Sequence, residues 1–321
     1  MGQLTSLPSC SVVVCAYTAA RWFDLCAAVA SVTHQTVRPL EIVLVADHNR
    51  PLFERMVAEF GEYAIVLENR RPAGLSGARN SGVAACRADV VAFLDDDAMA
   101  RADWLEQLLP HYADAETLGV GGAVQPLWQS TAPNWFPPEF AWVVGCSYRG
   151  LPAVVAPVRN LLGCNMSFRR EIFGLAGGFH SGLGRLGTTP LGCEETEFCI
   201  RAARHWAGGV MLYEPNAQVQ HRVPDARGRF NYFRARCYAE GISKARVSRL
   251  VGSGPALASE RAHVALNLPR GIGASLSEAA RTRSLAPAAR AGATVLGLMF
   301  AARGFVRGLL EAPQPAMEGL E

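Results

Sequence analysis

Short β-branched apolar runs alternate with helix-like segments through the first third of the chain, and this rhythm constrains the fold more than any other feature. Four of the runs have the length and composition of strands: residues 11–16, 41–46, 65–67 and 90–94. The segments between them are long enough to form crossover helices. The pattern therefore predicts βαβ units, a parallel sheet and an α/β domain.

Polar side chains follow each predicted strand at its carboxyl end. They are Tyr17 after the first strand, Asp47, His48 and Asn49 after the second, Asn69 and Arg70 after the third, and Asp95, Asp96 and Asp97 after the fourth. In open parallel sheets the ligand crevice lies beyond the carboxyl ends of the strands. The four polar clusters are therefore expected to meet at one mouth and to form a single active site.

Three adjacent carboxylates, Asp95, Asp96 and Asp97, are the strongest chemical signal in the sequence. Three acids at the end of one strand repel one another unless a cation lies among them, and hard oxygen ligands suit Mg²⁺ or Mn²⁺. Such an ion would also neutralise a diphosphate leaving group. The alternative is an acidic turn that caps a helix starting near Ala102, for which Asp103 is a second candidate.

A glycine-rich turn spans residues 74–82 and opens a helix before the acidic strand. Backbone N–H groups at such a helix start, together with Arg79, can meet phosphate oxygens or hold the acidic loop in place. The alternative is a plain turn in which Arg79 pairs with a structural carboxylate.

Two further motifs supply candidate catalytic and metal-binding groups. Glu194 and Glu195 begin a predicted helix, where carboxylates either interact with the helix dipole or supply the base for a sugar transfer. Such a base takes the proton of an acceptor hydroxyl while the anomeric carbon is attacked from the face opposite the diphosphate. His221 closes the strand-like segment 217–221, which follows another at 210–213, and it is either a hydrogen-bonded structural residue or a third metal ligand.

The order of these motifs resembles the family 2 glycosyltransferases, the inverting enzymes of the GT-A fold. The similarity covers about residues 10 to 225 and rests on 11–17, 41–47, 77–82, 93–97, 177–179, 194–201 and His221. It implies a nucleotide-sugar donor, a divalent metal, and a Rossmann-like, mainly parallel central sheet with flanking helices.

The resemblance implies a donor side built from eight residues. They are Ala16, Tyr17, Asp47, Arg79, Asp95, Asp96, Gly163 and Asn165. Tyr17 and Asp47 would contact uracil or another nucleobase, and Asp95 would lie near the ribose.

The same resemblance implies the metal ligands, the acceptor side and the base. The metal would be held by Asp97, Asp95 and His221, and the acceptor side would be lined by Gly178 and Phe179. The base occupies the second position of an acidic pair, which is most often Glu-Asp in the family. Here the pair is Glu194-Glu195, so Glu195 is the implied base and Glu194 the second candidate.

The chain divides into an α/β part and a basic C-terminal helical extension. Residues 1–225 are predicted to form the GT-A domain, with a nucleotide-binding half at about 10–118 and an acceptor half at about 119–225. Residues 226–321 carry 14 basic and 6 acidic side chains, a charge of +8, so the total of +3 leaves −5 for residues 1–225. The basic excess either suits an anionic partner such as a lipid headgroup or belongs to solvated Arg-rich helix surfaces.

The apolar stretch 293–302 in this extension is followed by Arg303 and Arg307. It falls short of the roughly 20 residues that a spanning helix needs, so it is not expected to cross a bilayer. It is expected either to dock on the main domain or to lie on the membrane as an interfacial helix.

The predicted function is metal-dependent, inverting transfer of a sugar from a nucleotide-sugar, with UDP-sugars favoured, to an acceptor alcohol. The acceptor would be a small-molecule or lipid-linked glycan, and nucleic acid is not an expected partner. No secretory signal pattern opens the chain and its nine cysteines lack CxxC spacing, so a cytoplasmic location is expected, with peripheral contact at the inner face of the membrane as a variant. Two alternatives stay open: a nucleotidyltransferase acting on sugar phosphates, and a nucleotide-sugar-binding protein without turnover.

Overall fold

The computed structural model describes residues 7–185 and 191–311, and the chain forms two compact units. The first unit comprises residues 1–125, 152–187 and 194–221, and the second comprises residues 126–151, 188–193 and 222–321. Each unit contains its own packed helices.

The first unit contains a mixed sheet. In the described part of the chain its strands are β1 (Cys10–Ala16), β2 (Glu41–Ala46), β3 (Ile65–Glu68), β4 (Val90–Asp95), β5 (Ala98–Ala100), β6 (Thr117–Trp128), β7 (Ala156–Val158), β8 (Asn165–Arg169) and β9 (Val210–Val223). Their order is β3-β2-β1-β4-β8-β6-β9-β5, and β7 pairs with β9. The predicted α/β class, with strands at 11–16, 41–46, 65–67 and 90–94, is confirmed.

Pairing direction changes across this sheet. Strand β1 pairs in parallel with β2 and β4, and β2 pairs in parallel with β3. Strand β8 is antiparallel to β4 and β6, while β5 and β7 are antiparallel to β9. The carboxyl ends of the first four strands therefore share one edge, as the positions of their polar residues predicted.

Six α-helices belong to the described part of the first unit, together with two short 3₁₀ helices at Ala19–Arg21 and Leu109–Ala113. The α-helices are α1 (Trp22–Thr33), α2 (Arg50–Phe60), α3 (Leu75–Ala85), α4 (Trp104–Leu108), α5 (Ile172–Ala176) and α6 (Glu194–His205). Helix α3 lies close to the sheet because Gly82 lacks a side chain: a Cβ there would come within 2.5 Å of Val13 Cγ1. Glycine in the predicted turn thus sets the distance between helix and strand.

A phenylalanine cluster forms much of the core beneath the site edge. Phe173 stacks on Phe198 with ring centroids 4.8 Å apart, and Phe93 meets Phe179 edge to face at 5.4 Å. From β8, the Phe168 ring contacts all four of these rings, and its centroid lies 5.0 Å from that of Phe198. Aromatic pairs in these geometries add to the free energy gained from area burial, so strand β4 is held firmly where it ends in the acids.

The structure corrects one strand prediction and disfavours the alternative offered for the acidic loop. The strand-like segments 210–213 and 217–221 form one continuous strand, β9, because Pro215 does not end it. The acids do not cap a helix near Ala102, because strand β5 follows them and α4 begins only at Trp104. Asp103 stands at the N-cap position of α4 but makes no capping hydrogen bond with its side chain.

The second unit is helical. Its described helices are α7 (Phe230–Val251), α8 (Ser253–Ala256), α9 (Ala258–Ala262), α10 (Leu268–Thr282) and α11 (Leu285–Leu310), with a π-helical segment at His263–Asn267. Helices α7 and α11 approach closely at glycines: a Cβ on Gly304 would overlap the Tyr238 carbonyl oxygen, and one on Gly308 would lie 2.7 Å from Ala245 Cβ. Small residues therefore fix this helix pair.

Helix α11 corrects the length expected for the apolar segment. The prediction counted the apolar stretch at 293–302, but the helix runs for 26 residues through Arg303 and Arg307. At 1.5 Å per residue it is about 39 Å long. In the described residues it is the one helix long and apolar enough to cross a membrane by length and composition, so the expectation that it is too short is wrong.

Candidate active site at the edge of the sheet

Three predicted metal ligands come together at this edge. Asp95 ends β4, Asp97 follows it, and His221 lies in β9 opposite Ala98 of β5. One ligand atom from each of the three residues lies within 4.8 Å of the others, and His221 Nε2 is 3.2 Å from Asp97 Oδ1. The antiparallel pairing of β5 with β9 is what carries the distant histidine to the acids. Two carboxylates and an imidazole in this arrangement confirm the predicted divalent-metal cluster.

Arg21 balances part of the negative charge at these acids. Its Nη1 lies 2.8 Å from Asp96 Oδ1 and 3.1 Å from Asp97 Oδ2. Burial alone would lower the pKa of Arg21, but Asp97 and Asp96 raise it above its usual range, so the guanidinium stays charged. Arg21 ends a short 3₁₀ turn after β1, and its guanidinium also lies 5.3 Å from the centre of the Tyr17 ring.

Asp96 is buried in a position that disfavours its charged form. Burial and the neighbouring Asp97 raise the pKa of Asp96 to about 7, although Arg21 opposes this rise. Among the described residues, no group donates a hydrogen bond to its buried Oδ2 atom. A buried carboxylate oxygen without a donor is costly unless a cation or water meets it.

The ion pairs at this edge leave a net charge that suits a divalent cation. Four carboxyl groups, of Asp95, Asp96, Asp97 and Glu194, pair here with two guanidinium groups, of Arg21 and Arg79. The acidic groups outnumber the basic ones, so the edge stays negative even with Asp96 only partly ionised at neutral pH. The donor set and the charge therefore both fit Mn²⁺ or Mg²⁺.

Replacing Arg21 with methionine is expected to destabilise the metal-free protein by about 1–3 kcal/mol, because Asp96 and Asp97 lose a partly buried counter-charge. Mn²⁺ supplies that charge, so it should raise the melting temperature of Arg21→Met more than that of the wild type. Thermal unfolding with and without Mn²⁺ measures both effects. Arg55→Met, which removes a guanidinium stacked on Trp22 at 3.8 Å, is the matched control. An equal Mn²⁺ shift in all three proteins would contradict this interpretation.

Arg79 is almost fully buried and connects three parts of the first unit. Its Nη1 donates to Glu194 Oε1 at 2.8 Å, and its Nη2 donates to Asp95 Oδ1 at 3.2 Å and to the Gly163 carbonyl oxygen at 2.8 Å. The structure thus realises the alternative in which Arg79 pairs with protein carboxylates. It fixes the start of α6 and the loop at Gly163 relative to the first acid.

The rest of the 74–82 motif also holds protein loops. Ser76 Oγ donates to the Leu183 carbonyl oxygen at 2.9 Å. Asn80 exchanges two hydrogen bonds with the backbone of Phe179, each 2.8 Å long. Polar side chains of α3 therefore anchor the segment on the predicted acceptor side.

Glu194 and Glu195 differ in their surroundings. Glu194 is buried and bound to Arg79. Glu195 is only partly buried and accepts a hydrogen bond from Thr196 Oγ1 at 3.1 Å. Both stand in the first turn of α6, where the helix dipole favours the charged carboxylates.

The predicted nucleobase side lies at the ends of β1 and β2. Ala16 is buried at the end of β1, and the Tyr17 side chain beside it is exposed. Asp47 accepts hydrogen bonds from Asn69 Nδ2 at 2.7 Å and from the Gly74 backbone N–H at 2.8 Å. These contacts bring the polar ends of β2 and β3 together and fix the carboxylate of Asp47.

Asn165 and Phe179 are buried, whereas Gly178 is half-buried. Asn165 is fully buried, accepts from Trp104 Nε1 at 2.8 Å and donates to the Ala123 and Ala217 carbonyl oxygens. The Phe179 ring is in the core, and the Gly178 carbonyl oxygen accepts from Arg201 Nη2 at 2.7 Å. Their observed contacts are with the protein itself.

The sequence analysis placed Asn69 at the mouth but did not identify Arg21 and Asn80 as site-forming residues. Arg21 is the one basic residue in the loop after β1, and this position next to the acids was the available signal. Asn80 acts through the backbone of Phe179, 99 residues further along the chain, so no local pattern marks it.

The comparisons with known proteins agree with this geometry. The model of the family described as glycosyl transferase family 2 matches residues 11–175. The glucosyl-dolichyl phosphate glucuronosyltransferase of Haloferax volcanii is 38% identical over 240 residues, which are 73% of this chain and 75% of that protein. The succinoglycan biosynthesis protein ExoM of Rhizobium meliloti is 29% identical over 212 residues, 64% of each protein.

A solved structure with similar architecture is the mannosyltransferase PcManGT from Pyrobaculum calidifontis, determined in complex with GDP-Man and Mn²⁺. It has a TM-score of 0.64 and 20% identity, and the match covers 95% of this chain and 88% of that one. At this identity the likeness shows the fold, which is GT-A. The family model covers about half of the chain and the Haloferax relative nearly three quarters, so the chain belongs to glycosyl transferase family 2 and is a glycosyltransferase.

Proposed function

We propose that this glycosyltransferase moves a sugar from a nucleoside diphosphate donor, preferentially a UDP-sugar, to a hydroxyl of a lipid-linked glycan, with inversion at the anomeric carbon. The observation that carries the proposal is the cluster of Asp95, Asp97 and His221 at the same sheet edge as the start of α6. Family membership argues against the nucleotidyltransferase alternative.

On the donor side, Ala16, Tyr17 and Asp47 surround the nucleobase, with the exposed Tyr17 ring available to contact it. Asp95, which is partly exposed, faces the ribose, and Asp97 and His221 hold the metal. A bound divalent ion neutralises charge on the diphosphate leaving group. Asp96 and Arg79 keep these groups in place through their ion pairs, as do Gly163 and Asn165 through their hydrogen bonds.

On the acceptor side, Glu195 is the base that removes the proton of the attacking hydroxyl. The support for this choice is that Glu194 is committed to buried Arg79, whereas Glu195 lies one position further along α6 and is more open. A single displacement needs one such carboxylate on the face opposite the leaving diphosphate, and inversion follows from it. Gly178 and Phe179 shape the acceptor side through the backbone that Asn80 and Arg201 hold.

The proposed acceptor class follows the printed name of the Haloferax relative, which acts on a glucosyl-dolichyl phosphate. The basic extension and α11 suit an enzyme that meets such an acceptor at the cytoplasmic face of a membrane. The proposal for this chain is a sugar or sugar phosphate carried on a polyprenyl lipid.

A transfer assay tests the proposal. Purified protein is first screened by thermal shift with UDP-, GDP- and dTDP-sugars, with and without Mn²⁺ or Mg²⁺, since a ligand that binds the folded state raises its melting temperature. The stabilising donor is then incubated with polyprenyl phosphate glycans, and the anomeric configuration of the product is read by NMR. We expect a UDP-sugar to stabilise only with metal and the product to be inverted. If a GDP-sugar stabilised the protein and no UDP-sugar did, the donor assignment would be overturned. A product with retained anomeric configuration would overturn the mechanism.

A further inference from the structure

Helix α11 has two faces with different surroundings. One face is buried within the second unit, where Thr294, Gly297, Gly304 and Gly308 pack. Gly297, for example, lies beside the rings of Phe140 and Phe233, and a Cβ there would come within 2.6 Å of Phe140 Cε1. This face is therefore packed within the second unit, whereas the sequence analysis expected docking on the main domain.

The other face is apolar and exposed. Its large side chains are Leu285, Val295, Leu296, Met299, Val306 and Leu310. Leu285 is 86% exposed, Met299 60% and Leu310 75%, and they recur at spacings that place them on one side of the helix. Each side chain of this row is exposed among the described residues. An apolar stripe of this length is unusual on a surface in contact only with water.

Most charges around the row are positive, and the nearest acidic groups are Glu311, 3.9 Å from Arg307, and Glu278, which pairs with Arg290 at 3.1 Å. Leu285–Leu310 contains no acidic residue, and the exposed Arg303 and Arg307 lie on the same side as the row in its last turns. Arg281 and Arg283, also exposed, directly precede the helix. Apolar side chains flanked by arginines are complementary to the surface of an anionic bilayer, because arginine stems can lie on the apolar layer while the guanidinium reaches the headgroups.

The contacts of α11 decide how it would meet such a bilayer. Helix α7 packs along it and carries Arg234, Arg236, Glu240, Lys244, Arg246 and Arg249. Arg249 Nη2 also donates to the carbonyl oxygens of Leu309 and Glu311 and ties the end of α11 to α7. A spanning α11 would draw these charged groups into the hydrocarbon, at a large cost for each.

We propose that α11 lies in the plane of an anionic membrane, with the row of Leu285, Val295, Leu296, Met299, Val306 and Leu310 inserted and Arg303 and Arg307 on the lipid phosphates. The partner is a lipid surface that carries negative headgroups. The inference goes beyond the proposed transfer reaction, since it rests on the second unit alone.

Vesicle flotation with the full chain tests this. The wild type should float with phosphatidylcholine vesicles that contain phosphatidylglycerol and much less with phosphatidylcholine alone. Leu296→Glu combined with Met299→Glu should lower binding at least about tenfold, because two inserted side chains are lost. Arg303→Gln and Arg307→Gln should each lower it about fivefold. Phe23→Glu, which changes an 84% exposed side chain of α1, is the matched control and should bind as the wild type does.

Three results would overturn the proposal. They are unchanged flotation of the Leu296 and Met299 double variant, carbonate-resistant insertion typical of a spanning helix, and a dimer in light scattering without lipid that the double variant dissociates. Circular dichroism and melting curves exclude misfolding, because both substituted residues are exposed. Transfer to a water-soluble acceptor analogue is measured in parallel, and its loss or retention tests the proposed reaction independently of lipid binding.

Discussion

Asp97→Ala is expected to lower glycosyl transfer roughly a hundred- to a thousandfold, the range typical for removing a group that stabilises developing charge. Asp97 faces both His221, at 3.2 Å, and Arg21, at 3.1 Å, so its loss removes one of three metal ligands and leaves the donor diphosphate poorly neutralised. Initial rates at saturating donor, together with calorimetric titration of Mn²⁺ in the presence of UDP, measure the two consequences separately.

Asp103→Ala is the control for Asp97→Ala. Asp103 lies six residues further along and pairs with Arg101 at 3.3 Å, and its side chain caps no helix. Its removal should leave both rate and Mn²⁺ affinity near wild-type values. If Asp97→Ala retained metal-dependent transfer at more than a tenth of the wild-type rate, the cluster would not be the metal site of the reaction.

The acids could be predicted from sequence because strand and site are adjacent in the chain. A run of apolar residues ending in Asp95, Asp96 and Asp97 shows both the strand and its polar end, and the parallel sheet then fixes the edge. His221 is a weaker case. Its contact with Asp97 depends on the pairing of β5 with β9 over more than 120 residues, so its position at a strand end left a structural role and a metal-binding role both open, and the resemblance to a family favoured the second.

Contacts between a side chain and groups far away in the chain could not be predicted from the sequence. The sequence left Arg79 either near the nucleotide or paired with protein carboxylates, and in the structure it is buried against Glu194, Asp95 and the Gly163 carbonyl oxygen. A guanidinium can bind a phosphate or a carboxylate with the same hydrogen-bond geometry, so the fold alone decides which partner it has. The length of α11 was underestimated because the prediction ended the segment at Arg303. Arginine ends a run of apolar residues, but it does not end a helix.

Glu195→Gln is expected to lower kcat by about a hundred- to ten-thousandfold, the usual contribution of a general base, while the KM for the donor changes little. The amide keeps the size of the side chain and can still accept the hydrogen bond from Thr196 Oγ1, so the fold should persist. Steady-state kinetics with a thermal unfolding control checks this. Near-normal kcat in a folded Glu195→Gln variant would show that another group takes the proton.

Glu194→Gln separates the two acids, because the structure predicts an opposite pattern for it. Arg79 loses a charged partner in a buried setting, but Asp95 and the Gly163 carbonyl oxygen still accept its hydrogen bonds. Unfolding should therefore become easier by about 2–3 kcal/mol, less than the usual loss from breaking a buried pair. The folded fraction should retain much of its kcat, since the proton is taken elsewhere. Should Glu194→Gln instead lose kcat with unchanged stability while Glu195→Gln stays active, the base would be Glu194, and Arg79 would have to release it during the reaction.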